Sequence, residues 1–297
     1  PVYTLNPPAS ALEQGGNDII ERVRQKDGKY WESDLSQVSA RGDFADVVDL
    51  TFSNASLANE GTIVIHAINS RLSNAVFEYL FRFLGDQTLA FLQAAEHDAE
   101  MIQLLKKWIE ESSLKAFVWD GREWEKLGIV APEANVTAFS RVIRFRVPKS
   151  IGDVKIRLIG LADVWKLDAV TVDWTRVREL TSQAVPMISA VGPRGQNVLQ
   201  SLSRSDGDYT VLFPPEHIDL RFQKIAAPAG KRITYALNVQ GYLYEWMTAS
   251  SDEHQHEIPA VPESMKIAFL KTLLQNREIF LPPVYEAWKK QRVEAGG

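Results

Sequence analysis

One stretch of this chain occurs twice, and the recurrence limits the fold more than any other feature of the sequence. Residues 10–30 read SALEQGGNDIIERVRQKDGKY and residues 189–209 read SAVGPRGQNVLQSLSRSDGDY, at a constant offset of 179. The pairs Ser10/Ser189, Ala11/Ala190, Gly16/Gly195, Asp27/Asp206, Gly28/Gly207 and Tyr30/Tyr209 are identical, and Leu12/Val191, Ile19/Val198, Ile20/Leu199 and Val23/Leu202 keep apolar character. The match resumes as Val48-Asp49-Leu50-Thr51-Phe52 against Ile218-Asp219-Leu220-Arg221-Phe222 at offset 170, then as Ala67-Ile68-Asn69 against Ala236-Leu237-Asn238 at offset 169. Two copies of one unit are therefore expected.

Within copy one, Asn17 is placed to cap a short helix whose apolar face holds Ile19, Ile20 and Val23, and Asp27-Gly28 stops it. Copy two repeats this with Asn197 or Gln196 at the start, Val198, Leu199 and Leu202 on the face, and Asp206-Gly207 at the end. Glycine after aspartate lets the chain turn sharply, into a strand expected to open at Tyr30 or Tyr209.

From about Phe44 the period becomes two. Val48, Leu50 and Phe52 alternate with Asp49 and Thr51, and Ile63, Ile65 and Ala67 alternate with Val64 and His66, as half-buried strands should. The loop 53–61 carries the glycosylation sequon Asn54-Ala55-Ser56, and Asn135-Val136-Thr137 is a second; two such triplets arise easily by chance in 297 residues. Between about 86 and 113 Leu89, Leu92, Met101, Leu104, Leu105, Trp108 and Ile109 fall at helical spacing, with Asp98 placed to cap the second of two helices. Strands resume at Ala116–Trp119, with Asp120-Gly121 at a hairpin turn before Trp124, and continue through Ile143–Val147, Val154–Leu158 and Val170–Trp174.

These patterns predict a mainly β chain with two β-sandwich (jelly-roll-like) domains and a C-terminal helical tail. Residues 1–180 form a sandwich with a helical insertion at about 86–113, and 181–249 a shorter sandwich that repeats its lead-in. Residues 250–297 are a polar linker and the tail, with Ile267, Leu270, Leu273 and Leu274 on one helical face and a last helix from Tyr285 to Lys290 after Pro282-Pro283. The tail is expected either to pack back on a sandwich or to dock on a partner subunit.

Composition narrows the functional classes. A net charge of -5 with no block of like charge gives no footprint for nucleic acid. The absence of cysteine removes disulfides, thiolate metal sites and cysteine nucleophiles. No apolar run reaches transmembrane length. The opening PVYTLNPP lacks methionine and the pattern of a signal peptide, so a mature or excised piece of an exported, extracytoplasmic protein, periplasmic or secreted, is expected.

The run Phe117-Val118-Trp119-Asp120-Gly121-Arg122-Glu123-Trp124, with Val154–Leu158 and Val164–Trp174, resembles the galactose-binding-like (discoidin-like) jelly roll, with its tryptophan-bearing hairpin and closing strand. Ile218–Phe222, with Ala227-Pro228-Ala229-Gly230-Lys231-Arg232 and Asn238–Trp246, is similar to C-terminal modules of exported bacterial proteins of the cartilage-acidic-protein (ASPIC) type. Both resemblances imply an exported β-sandwich used for binding or assembly.

Candidate chemistry is sparse. Asp252-Glu253-His254-Gln255-His256-Glu257 is the densest set of metal-ligating types, but a polar linker supplies no fixed geometry, and no metal site is expected there. Asp163, Asp168 and Asp173 recur every five residues, and Asp120 and Glu123 flank a turn; glycoside hydrolysis would need two carboxylates facing across a cleft. Nucleophile-elbow, zinc-protease, phosphate-loop and dinucleotide motifs are all missing. No catalytic residue and no cofactor is therefore assigned.

Trp119, Trp124 and Trp165 lie near strand ends or turns, where exposed indoles stack on sugar rings or fill protein pockets, and they are the expected ligand-binding residues. The expected function is non-enzymatic binding or assembly, as an accessory or structural subunit whose protein partners meet the C-terminal helices. A carbohydrate-binding module, with a glycan as ligand, is the alternative.

Overall fold

The computed structural model describes residues 4–34, 44–54, 58–72, 76, 80–81, 83–133, 137–148, 152–175, 182–227, 233–241, 266–276, 281–286 and 288–290. The chain divides into two compact units, Pro1–Val177 with His254–Gly297, and Arg178–Glu253.

In the first unit alternation of side chains along the strands builds two antiparallel sheets that pack as a sandwich. One is five-stranded, ordered β2-β3-β8-β5-β6, with β2 Ser10–Glu13, β3 Ala45–Phe52, β5 Leu114–Trp119, β6 Trp124–Val130 and β8 Val154–Leu161. The other is ordered β1-β9-β4-β7, with β1 Leu5–Asn6, β4 Glu60–Asn69, β7 Phe139–Arg146 and β9 Trp165–Asp173. Val48, Leu50, Phe52, Val154, Ile156 and Leu158 turn inward and are buried, while Asp49, Thr51, Lys155 and Arg157 between them face outward. They meet Ile63, Ile65, Val170 and Val172 of the other sheet in a single core. Each such side chain contributes about 1.5–3 kcal/mol by leaving water, which the ordering of the strands offsets.

Strand β9 is central. It pairs with β4 on one edge, and on the other with β1, with Arg24 and with Trp31, so among the described residues the segment predicted to open a strand at Tyr30 makes the isolated bridge Trp31–Leu167 and no longer pairing. All of β9 except Lys166 is buried. The helical insertion forms as α1 Thr88–His97 and α2 Ala99–Ser112, and the Asp98 carboxylate caps α2 by accepting from the Glu100 and Met101 amides at 2.8 and 3.0 Å. At the hairpin, Asp120 accepts from the Arg122 and Glu123 amides, and Gly121 adopts φ 103°.

The tail belongs to this unit. Leu270 of helix Lys266–Gln275 and Leu281, Val284, Tyr285 and Trp288 beyond it are buried in the sandwich core. The Tyr285 hydroxyl donates to the Ala162 carbonyl, and the Trp288 indole N–H donates to Asp163 Oδ2 at 2.5 Å. Of the two expectations for the tail, packing back on the sandwich is what these residues do, because the turn between β8 and β9 offers both a carbonyl and a buried carboxylate to the polar tips of Tyr285 and Trp288.

In the second unit the described residues form one two-stranded antiparallel sheet, β10 Met187–Val191 with β11 Asp219–Phe222, and one short helix, Leu199–Leu202. The second sandwich expected from the repeat is not formed among the described residues. The opening loop of the repeat keeps the same backbone hydrogen bonds in both copies. In copy one the Ile19 amide donates to Ala11 and the Gly16 amide to Glu13, each at 2.9 Å. In copy two Val198 donates to Ala190 at 3.0 Å and Gly195 to Gly192 at 2.9 Å. In copy one the N-cap is Ile19 rather than the predicted Asn17; Asp18, just before it, accepts from the Ile20 amide, while Asn17 donates to Glu13. Asn197 does the same for Leu199 in copy two. Gly28 and Gly207 carry φ 79° and 85°, as the Asp-Gly turns require.

Candidate interaction surfaces

The outer face of the five-stranded sheet carries an aromatic and charged row. Antiparallel register sets Asp49 opposite Arg157, Arg157 opposite Phe117, and Trp119 opposite Trp124. Arg157 donates to both Asp49 oxygens, Nε to Oδ1 at 2.7 Å and an Nη to Oδ2 at 2.8 Å, which is the strong two-point form of such a pair. This hydrogen bonding raises the guanidinium pKa above its ordinary value, against a smaller opposing effect of burial. The guanidinium carbon lies 4.3 Å from the centre of the Trp124 ring, and the two indoles stand 5.4 Å apart at 57°. Trp119 and Trp124, both half-buried, thus come together, but one face of Trp124 is covered by its own neighbour. Trp165 goes elsewhere. It is 2% exposed in the core, with its indole N–H donating to the Ser112 carbonyl at 3.0 Å, so it is out of reach of any ligand.

The three aspartates spaced by five serve the fold. Asp168 Oδ1 accepts from the Asp27 and Gly28 amides at 3.0 and 2.9 Å, which pins the Asp-Gly turn of copy one against β9. Asp173 accepts from the Thr175 amide and hydroxyl, and Asp163, with φ 57°, holds Trp288. Their bound oxygens already face fixed donors, as structural carboxylates do. Glu13 plays a similar part, accepting from Asn17 and from the Trp31 indole at 2.8 Å. The bonds of Asp168 to Asp27 and Gly28 and of Asp163 to Trp288 are not visible in the sequence, because each joins residues more than 100 positions apart.

Other polar features are minor. Burial lowers the pKa of His66, whose Nδ1 lies 2.6 Å from the Ser140 hydroxyl. A shallow cleft of about 290 Å³ beside Thr62, Arg144 and Arg146 is open to solvent. Among the described residues no group of three histidines or carboxylates could hold a metal, and no helix is long and apolar enough to cross a membrane. The His254/His256 cluster and the sequon at Asn135 lie outside the described residues. Asn54 of the other sequon is buried, and its side-chain amide both donates to and accepts from Ala58, at 3.1 and 3.0 Å.

The second unit has the opposite character. Ala190 is its one buried hydrophobic residue among those described, whereas Val239 is 75% exposed, Val211 65%, Tyr235 63% and Leu237 61%. In copy one the corresponding lead-in positions Ala11, Ile19, Val23 and Trp31 are all buried against β9 and its neighbours. In copy two Leu202 stands exposed in place of Val23, and Thr210 replaces Trp31. No protein-family model and no curated protein matches this chain.

Proposed function

We propose that this chain is a non-enzymatic assembly protein, an accessory or structural subunit whose first unit is a rigid platform and whose second unit is the attachment element. The observation that carries the reading is the exposure of Val211, Tyr235, Leu237 and Val239 in a unit where Ala190 is the one buried hydrophobic residue among those described. Exposed apolar area of this kind gains about 25 cal/mol per Å² when a partner covers it. The aspartates that might have served catalysis have fixed hydrogen-bond donors, which further favours assembly over chemistry. For the first unit the finer jelly-roll reading is supported by its connections: after β3, every link between successive strands crosses between the sheets except the hairpin β5–β6. An extracytoplasmic location rests on the resemblances to exported binding and assembly modules.

The test is native electrophoresis of extracts from cells that make the protein. The wild-type chain should migrate in an assembly well above its 33.4 kDa mass. The triple variant Val211→Ser, Leu237→Ser, Val239→Ser should release it while leaving the far-ultraviolet circular dichroism unchanged. A wild-type chain that migrates at its monomer mass in those extracts removes the proposal.

The alternative, a carbohydrate-binding module, is favoured by one observation only: Trp119 and Trp124 meet half-exposed on one sheet face. A glycan array repeated with Trp124→Ala decides it; absence of any wild-type signal at millimolar glycan ends that reading.

A further inference from the structure

Strand β11 is the counterpart of β3, and the fate of β3 shows what β11 lacks. β3 is flanked by β2 on one edge and β8 on the other. β11 has β10 on the first edge, matching β2, and no strand on the second among the described residues. The hydrogen bond from the Gln223 amide to Pro186 sets the alternation along β11. Residues 219, 221 and 223 therefore turn their backbone groups toward β10, while 218, 220 and 222 turn theirs to the open edge. An open edge of this kind is a template for another strand.

The sequence of β11 identifies the strand that fits. In copy one β8 supplies Val154-Lys155-Ile156-Arg157-Leu158, which pairs antiparallel with Val48–Phe52 so that Arg157 meets Asp49 and Ile156 meets Leu50. Residues 218–222 read Ile-Asp-Leu-Arg-Phe, the same order of apolar, charged, apolar, arginine and apolar residues as β8. The segment also keeps the aspartate of β3 as Asp219, and it differs from β3 by carrying Arg221 where β3 has Thr51. One strand thus holds both halves of the Asp49–Arg157 pair. Antiparallel pairing of β11 with a second β11, centred on Leu220, sets Asp219 opposite Arg221 twice on one face. On the other face it sets Leu220 opposite Leu220 and Ile218 opposite Phe222 twice. Because residue 220 faces the open edge, this register closes backbone hydrogen bonds at 218, 220 and 222, as β3 and β8 do. Asp219 and Arg221 are exposed and make no ion pair or side-chain hydrogen bond among the described residues.

We infer that two copies of this chain associate about a twofold axis through β11, forming a continuous β10-β11-β11-β10 sheet. The inference rests on the assembly reading and names a second copy of the chain as the partner. Twofold symmetry is what makes an isologous edge-to-edge contact close on itself.

The purified full chain is tested by sedimentation equilibrium from about 1 to 100 µM, a range chosen to bracket ordinary transient homodimers. Wild type should reach twice the 33.4 kDa monomer mass. Asp219→Arg alone and Arg221→Asp alone each juxtapose like charges twice, and should weaken the dimer by about thirtyfold. The double reversal D219R/R221D restores both pairs and should return the dimer to near wild-type strength. Circular dichroism must be unchanged in all variants, as expected for exposed positions. A wild-type chain monomeric at 100 µM overturns the inference, as do single reversals without effect or a double reversal that fails to restore. A purified monomer that still migrates in a large assembly in extracts overturns this dimer alone; a monomer in both settings overturns the assembly reading too.

Discussion

Trp288 provides a sharp test of whether the C-terminal helices are structure or appendage. Its side chain is 9% exposed in the sandwich core, and its N–H satisfies Asp163 Oδ2 at 2.5 Å, on a residue itself 1% exposed. Replacing a buried tryptophan by alanine costs about 3–5 kcal/mol from lost burial and the cavity left behind. The Asp163 oxygen also loses a donor, at a cost of about 1–3 kcal/mol where water cannot replace it. Water entering the new cavity relieves part of this, so ~4 kcal/mol is the working figure for Trp288→Ala. A unit of this size loses about 2–4 °C of Tm per kcal/mol, so the melting midpoint should fall by roughly 10 °C. Trp288→Phe keeps most of the volume and removes only the donor, and should fall between the two. Differential scanning calorimetry of the full chain measures all three, with Leu12→Ser on the exposed sheet face as a control expected to stay within ~0.5 kcal/mol of wild type. A Trp288→Ala midpoint within about 2 °C of wild type would refute the packing of the tail into the core, since no burial of an indole is that cheap.

Asp168→Ala should cost about 2 kcal/mol, because two backbone amides lose a carboxylate acceptor but can reach water at the edge of the turn. Amide exchange at Asp27 and Gly28 should accelerate, and unchanged protection there would discard the pinning role. Gly160→Ala puts a Cβ 2.8 Å from Trp165 Cδ1 and 3.2 Å from Leu114 Cδ1, both in the core. A loss of about 1–3 kcal/mol is expected in urea unfolding, and a neutral result would show that the two sheets have room to move apart. His66 has a folded pKa below its unfolded value through burial, so the unfolded state binds more protons in the window between the two. Stability should be full above about pH 6.5 and fall as pH drops through that window, and His66→Gln should flatten the dependence. Equal slopes for wild type and variant between pH 7.5 and 5.5 would exclude the histidine as the source.

Features written locally were legible. Alternation at Val48–Phe52 and Val154–Leu158 identified strands, Asp98 identified a helix start, and Asp120-Gly121 identified a hairpin, because each depends on residues within a few positions of one another. Asn17 was misplaced as a cap because Asp18 beside it competes for the same amide, and two residues of offset lie below what spacing resolves. Trp119 and Trp124 were singled out, with Trp165, from their places near strand ends or turns, and the short hairpin is what brings the first two together. Arg157 was missed as their neighbour because it lies on β8, which had to be registered against β5 first. Trp165 carried the same local signal as the other two and was buried by the helical insertion, whose Ser112 carbonyl takes its N–H.

The duplicated stretch shows where sequence stops and tertiary structure begins. By itself the sequence determined that residues 10–30 and 189–209 adopt one backbone, since their turns, caps and Asp-Gly stops are short-range. Only the tertiary structure decided that the first copy is buried and the second exposed. Burial requires β8 and β9 to arrive from more than 100 residues away with Asp168 as acceptor, and no counterpart of those strands meets copy two among the described residues. The same local motif is therefore part of a core in one place and largely exposed, among the described residues, in the other.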